Sequence, residues 1–172
     1  MENNRPPVIF KFDNPPHVAI IEARYYGDIA DLQLRGVTDV LARAGATHEI
    51  IAVPGALEIP AAIGFLIKAM DFDPVRRRPD GYIALGCVLK GGTMHDEIVA
   101  MESARGLQEL ALAHNIAIGN GILTCNTREQ AIERADPAKL NRGGEAAEAA
   151  LRMIELKHQL RLSPKRRWVA KS

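Results

Sequence analysis

Two cysteines in 172 residues, Cys87 and Cys125, are too few for a disulfide framework. Both stand in or beside apolar runs and read as buried free thiols. An excess of either charge is also lacking: 22 Lys and Arg stand against 21 Asp and Glu. The chain therefore has no global pull toward nucleic acid or an anionic membrane. No apolar run approaches the roughly 20 residues of a membrane-spanning helix. Met1 to Pro7 is polar and carries prolines, with no signal-peptide core. A soluble, cytoplasmic protein is expected. There is no internal repeat and no low-complexity tract. No pair of His, Cys, Asp or Glu shows zinc-site spacing, and the expected machinery contains neither metal nor cofactor.

What the chain does have is ample apolar content, 47%, in a length suited to one domain. Apolar runs alternate with helical patterns. Strands are expected at Val18–Ile21, Ile50–Val53, Gly81–Cys87 and Ile116–Leu123. Between them, Leu32, Gly36, Val37, Val40 and Leu41 recur at helical spacing until Gly45. Leu57 to Met70 reads as a second helix, and Ile98, Met101, Ala104, Leu107 and Ala111 stripe a third. Thr127 and Gln130 are spaced as a capping box before a short helix to Ala135. Ala147, Ala150, Leu151 and Ile154 face inward on a last helix, which Pro164 ends. This alternation predicts an α/β domain: a three-layer α/β/α sandwich, flavodoxin-like, with a four-stranded parallel sheet. The core spans about 18–156. Val8 to Phe12 reads as a possible edge strand, added even to a neighbouring subunit's sheet. Arg76-Arg77-Arg78 and the basic tail 163–172 read as solvated connector and tail.

Parallel sheets of this kind bind ligands beyond the carboxyl ends of their strands. Four loops gather there: Arg24-Tyr25-Tyr26, Pro54 to Glu58, Val88 to His95, and Thr124 to Thr127. The third is the most telling. An apolar strand runs into Lys90-Gly91-Gly92-Thr93, and His95 follows where a helical pattern begins. Bare amides, a hydroxyl and a helix N-terminus suit an anion, most plausibly a phosphate. The lysine precedes the glycines, which disfavours a nucleoside triphosphate loop. His95 can move a proton at neutral pH. A helix N-terminus disfavours its imidazolium and a bound phosphate favours it, so the sequence leaves its protonation open. Arg134 is the best candidate counter-charge. Glu58 reads either as a helix-dipole carboxylate or as an acceptor for a ligand N–H. Tyr25 and Tyr26 suit stacking on a planar heterocycle as well as they suit packing.

Taken together the motifs resemble those of the 6,7-dimethyl-8-ribityllumazine synthases. Pro54-Gly55-Ala56-Leu57-Glu58-Ile59-Pro60 is similar to that family's PGAxEIP segment. Ala84 to His95 resembles its LGxVIRGxTxH segment, and Glu129 to Ala135 its EQAxERA segment. Ala23-Arg24-Tyr25 sits where the family has an Arg-aromatic pair. The resemblance implies a condensation of 5-amino-6-(D-ribitylamino)uracil with 3,4-dihydroxy-2-butanone 4-phosphate, the penultimate step of riboflavin synthesis. An imine forms, phosphate is eliminated, and ring closure with loss of water gives the lumazine.

The same resemblance implies a role for each residue. Tyr25 stacks on the pyrimidine. Ala56, Leu57, Glu58, Cys87, Val88, Leu89 and Asn120 line the heterocycle and ribityl pocket. Gly92, Thr93 and Arg134 hold the phosphate, and His95 carries protons. Lys90 and Arg142 are accessory, each replacing the other basic residue type. Asp96-Glu97 replaces an aromatic and an acid, and Asn120 a frequent Phe. The resemblance further implies small-molecule substrates only and a homo-oligomer with sites between subunits, Asn120, Arg134 and Arg142 serving a neighbour's pocket. Family members form pentamers, and some form sixty-subunit shells. Pro137, the lack of glycine between Asp136 and Asn141, and the long connector Asp71–Asp80 lead to the expectation of a pentamer.

Overall fold

The computed structural model describes residues 8–73 and 75–162. The basic tail 163–172 and Pro164 lie outside the described residues. In chain order the elements are β1 (His17–Ala23), α1 (Gly27–Arg43), β2 (Thr47–Val53), a 3-10 turn (Ala56–Glu58), α2 (Ile59–Phe72), β3 (Gly81–Leu89), α3 (His95–His114), β4 (Ala117–Cys125), α4 (Arg128–Ala135) and α5 (Arg142–Gln159). The four strands form one sheet in the order β2-β1-β3-β4, every pair parallel. The expected α/β class and parallel sheet are therefore present.

Alternation along the central strands makes the layers. Val18, Ile20, Ile83 and Leu85 face one side, where they pack with Val37 and Leu41 of α1 and Leu151 and Ile154 of α5. Ala19, Ile21 and Ala84 face the other, against Ile59 and Ile63 of α2 and Leu107 of α3. A third cluster seals the carboxyl end of β4: Ile29, Leu123, Cys125, Ala131 and Ala135. Two glycines bring α5 close. A Cβ on Gly119 would lie 1.9 Å from the Ala146 carbonyl oxygen, and one on Gly143 would lie 2.4 Å from that of Gln33. The glycine in β4 that weakens the strand pattern is thus required by packing. Gly45, at φ +66°, closes α1 in the left-handed conformation that glycine tolerates.

Several expectations change. Val8–Phe12 is not a strand of this sheet. Its apolar residues pack instead: Phe10 is buried on the α1–α5 side, and its ring stacks 5.9 Å from that of Phe12. On α3, only Leu107 of the expected stripe is buried, whereas Ile98 and Met101 are exposed. The inward line is Val99, Ser103, Leu107 and Leu110, displaced around the helix from the stripe read in the sequence. The second helical segment opens as a 3-10 turn. β4 runs on to Cys125, paired with Leu89 of β3. The last helix stops at Gln159, ahead of Pro164, and Arg161 turns the chain at φ +57°. Within the connector, Arg76 is not merely solvated but pairs with Glu49 at 2.8 Å. No helix among the described residues is long and apolar enough to cross a membrane.

Candidate active site

Parallel strands place all their carboxyl ends at one edge of the sheet, and the loops named above leave from it. After β1, Arg24 is tied down: its guanidinium donates to both oxygens of Glu22 at 3.1 and 3.2 Å, and pairs with Asp31. Glu22 itself is buried. Tyr25 next to it projects into solvent, 77% exposed, with Tyr26 edge-on at 4.9 Å. After β2, the 3-10 turn buries Ala56 and leaves Leu57 and Glu58 exposed. At the end of β3, Cys87, Val88 and Leu89 are half-buried. Burial, and secondarily the neighbouring Cys125, push the Cys87 thiol up to about 12. It is a neutral wall at physiological pH.

The glycine turn follows. The Lys90 N–H donates to the Cys125 carbonyl at 2.9 Å, so β3 and β4 stay bonded to their last residues. Beyond it Gly91, Gly92, Thr93 and His95 are all exposed. A Cβ on Gly92 would meet nothing within 4 Å, and one on Gly91 only Asp96 Oδ1 at 3.8 Å. Neither glycine has a positive φ. Neither local conformation nor packing within the chain therefore demands glycine here, which leaves open space at the head of α3. His95 is the first residue of α3, and its backbone N–H points at Thr93 Oγ1 from 3.4 Å. Asp96 Oδ1 is buried with no hydrogen-bond partner among the described residues.

Asn120, Arg134 and Arg142 lie elsewhere. They line a cavity of about 340 Å³ beside β4, together with Thr124 and Glu145. Asn120 Oδ1 accepts from the Ile122 N–H at 3.0 Å. Arg134 Nη1 lies 3.4 Å from the Gln130 carbonyl, and Arg142 pairs with Glu145. Gly92, Thr93 and His95 do not line this cavity. Of the expected residues, Gly92, Thr93 and His95 lie along the glycine turn, and Asn120, Arg134 and Arg142 line the cavity beside β4. Thr124, at the start of the fourth loop, and Glu145 also line this cavity, though neither stood out as a site residue in the sequence. Glu145 could have been found from its place three residues after Arg142, a spacing at which charges meet on a helix.

α4 carries Arg134, and its start is fixed locally. Thr127 Oγ1 accepts from the Gln130 N–H at 3.3 Å. The Gln130 side chain reaches back to the Asn126 N–H at 3.0 Å, one residue before the reciprocal bond of a capping box.

Comparison with known proteins bears on this arrangement. A model of the 6,7-dimethyl-8-ribityllumazine synthase family matches residues 15–158. A 6,7-dimethyl-8-ribityllumazine synthase 1 of Rhodopseudomonas palustris is 53% identical over 144 residues, covering 83% of this chain and 86% of the relative. One of Rhizobium meliloti is 51% identical, covering 85% and 94%. One of Agrobacterium fabrum is 50% identical, covering 84% and 97%. The match runs from before β1 into the last turn of α5, and the chain belongs to the 6,7-dimethyl-8-ribityllumazine synthase family.

Proposed function

We propose that this chain catalyses the family's condensation, joining 5-amino-6-(D-ribitylamino)uracil to 3,4-dihydroxy-2-butanone 4-phosphate with release of phosphate and water. The observation that carries the site assignment is the open glycine turn. Glycines that neither packing nor conformation requires are explained by a ligand approaching the backbone. The N–H groups at the head of α3 and the Thr93 hydroxyl are the donors for a phosphate there. His95, one helical residue in, moves protons during imine formation, elimination and ring closure. Tyr25 is exposed enough to stack on the pyrimidine, and Ala56, Leu57, Glu58, Cys87, Val88 and Leu89 wall its pocket.

Arg134, Asn120 and Arg142 complete the pocket of a neighbouring subunit. Their separate cavity supports that reading, as does the apolar surface of α2 and α3, where Phe65, Ile98, Met101 and Leu112 are at least half exposed. The assembly is a cytoplasmic homopentamer of one domain per chain, with its core at about 18–156. The turn after α4 is closed by Asp136, whose carbonyl accepts from Lys139 and Asn141 N–H at 3.0 and 3.1 Å. Light scattering that showed sixty-subunit particles would refute the pentamer. Mixing the purified protein with both substrates, and following lumazine absorbance and released phosphate, tests the reaction. No product above the spontaneous background would refute it.

A further inference from the structure

The opposite end of the sheet holds a second cavity, of about 400 Å³, that the proposed reaction does not use. It opens where the connector from α2 enters β3, between the last turns of α3 and α5. Arg78, Asp80, His114, Lys157 and His158 line it. Its floor is apolar, with Ile154 fully buried and Ile116 half-buried.

The charges in this cavity do not balance. Among the described residues, neither Arg78 nor Lys157 has a carboxylate within ion-pair distance or any hydrogen-bond acceptor. Lys157 is half-buried, and burial followed by the nearby Arg78 pushes its amine below the ordinary range, with only Asp80 pulling it back. Asp80 is already engaged: its Oδ2 accepts the His17 backbone N–H at 2.8 Å. The α3 and α5 C-termini also reach this end, but backbone N–H groups of Ile116 and Leu162 take up the Ala111 and Lys157 carbonyls at 3.3 and 2.8 Å. Arg78 is exposed and Lys157 half-buried, and Asp80 is one carboxylate against these two cations, so the lining keeps an excess positive charge that an anion would offset.

We propose that this cavity is a binding site for a phosphate monoester. Arg78 and Lys157 hold the phosphate, and the non-phosphate body lies against Ile116 and the exposed Leu162. A guanidinium matches phosphate oxygens in a fork, and an ammonium adds a point charge beside it. The volume is several times that of a phosphate and falls in the range of small-molecule sites, about 300–1,000 Å³. The site is distinct from the glycine turn, since the two lie at opposite ends of β3.

Calorimetric titration of the full-length protein with phenyl phosphate tests this. The wild type should bind two molecules per chain. Arg134→Ala should remove or weaken one event, that of the proposed active site. Arg78→Gln with Lys157→Gln should weaken the other by at least about tenfold, the loss of one charge-assisted bond, while condensation activity persists. Phenol should not bind at this site, and inorganic phosphate should bind there more weakly than phenyl phosphate. An unchanged isotherm in the Arg78/Lys157 variant, or a single event that Arg134→Ala abolishes, would overturn the proposal. If the double variant fails to fold, Lys157→Gln alone is read against the same outcomes. An isotherm indifferent to Arg134→Ala but sensitive to Lys157→Gln would instead count against the phosphate role of Arg134.

Discussion

Gln33 Nε2 donates to the carbonyl of Gly121 at 2.6 Å, a buried bond that fastens α1 to β4. Gly121 lies beside Asn120 in the strand that walls the candidate cavity. The same side chain's Oε1 is buried without a partner among the described residues. Gln33→Leu removes that unpaired oxygen but also strands the buried Gly121 carbonyl. The net expectation is a loss of about 1–3 kcal/mol, the desolvation cost of one unsatisfied group. Urea unfolding at constant m-value measures it, and a gain in stability would show that the bond is not needed.

Gly119→Ala should cost more. The added methyl would meet the Ala146 carbonyl oxygen at 1.9 Å and the Ala150 side chain at 3.2 Å. One of these atoms is backbone, so α5 must move off β4. Overpacking of this kind costs about 1–3 kcal/mol and occasionally more. Because Arg142 and Glu145 ride on α5, activity should fall along with the thermal midpoint. A variant as stable as the parent would mean that α5 packs less tightly than the structure has it.

The layered order of strands and helices was readable because each local signal agreed with the tertiary outcome. Val18–Ile21 and Gly81–Cys87 are apolar on both faces because both faces are covered. Ala147, Ala150, Leu151 and Ile154 were read correctly because α5 presents one narrow inward face. Readings failed where an apolar residue had two uses. Ile98 and Met101 fit the helical period of α3, yet they lie on its outer side, and nothing in the spacing separates a core from an outward apolar face. The glycine turn was legible as a site because its chemistry is local. The separation of Arg134 from Thr93 was not, because it depends on how β4 and α4 pack and not on spacing.

Cys87 provides a test of burial at the pocket wall. Burial pushes its folded-state thiol up to about 12, well above the ordinary thiol range. Burial raises this pKa, so the unfolded chain releases its proton first. The contribution of Cys87 to stability is therefore complete below about pH 9 and is lost as pH rises from there toward 12. Stability of Cys87→Ser should fall less steeply over that window. Iodoacetamide should label the native thiol far more slowly than the unfolded one at neutral pH. Rapid native labelling of Cys87 would contradict its neutral, desolvated state.

His95 should matter to the proton steps and little to the fold, because it is exposed at the head of α3. His95→Ala should lower kcat by up to about 10²–10⁴-fold, the usual worth of general acid–base catalysis. Orientation of two substrates is retained, so catalysis above background should remain. The thermal midpoint should stay within a degree or so, as surface changes usually shift stability by less than about 0.5 kcal/mol. An unaltered kcat would remove His95 from the mechanism.

Arg134 separates binding of the two substrates. Among the described residues its guanidinium makes one long contact, to the Gln130 carbonyl at 3.4 Å, so its charge is little committed there. If it grips the phosphate, Arg134→Ala should raise KM for the four-carbon phosphate at least about tenfold, the worth of a charge-assisted hydrogen bond. KM for the pyrimidine should change little. Thr127→Ala is the control for displacement of the helix that carries it. That variant loses the bond to the Gln130 N–H and about 0.5–2 kcal/mol of stability. It should shift KM for the phosphate substrate less than Arg134→Ala does, because the guanidinium is still present. Equal effects of Arg134→Ala on both substrates would make Arg134 a structural residue of the β4 cavity. Equal effects of the two variants on the phosphate substrate would place the burden on α4 and not on the charge.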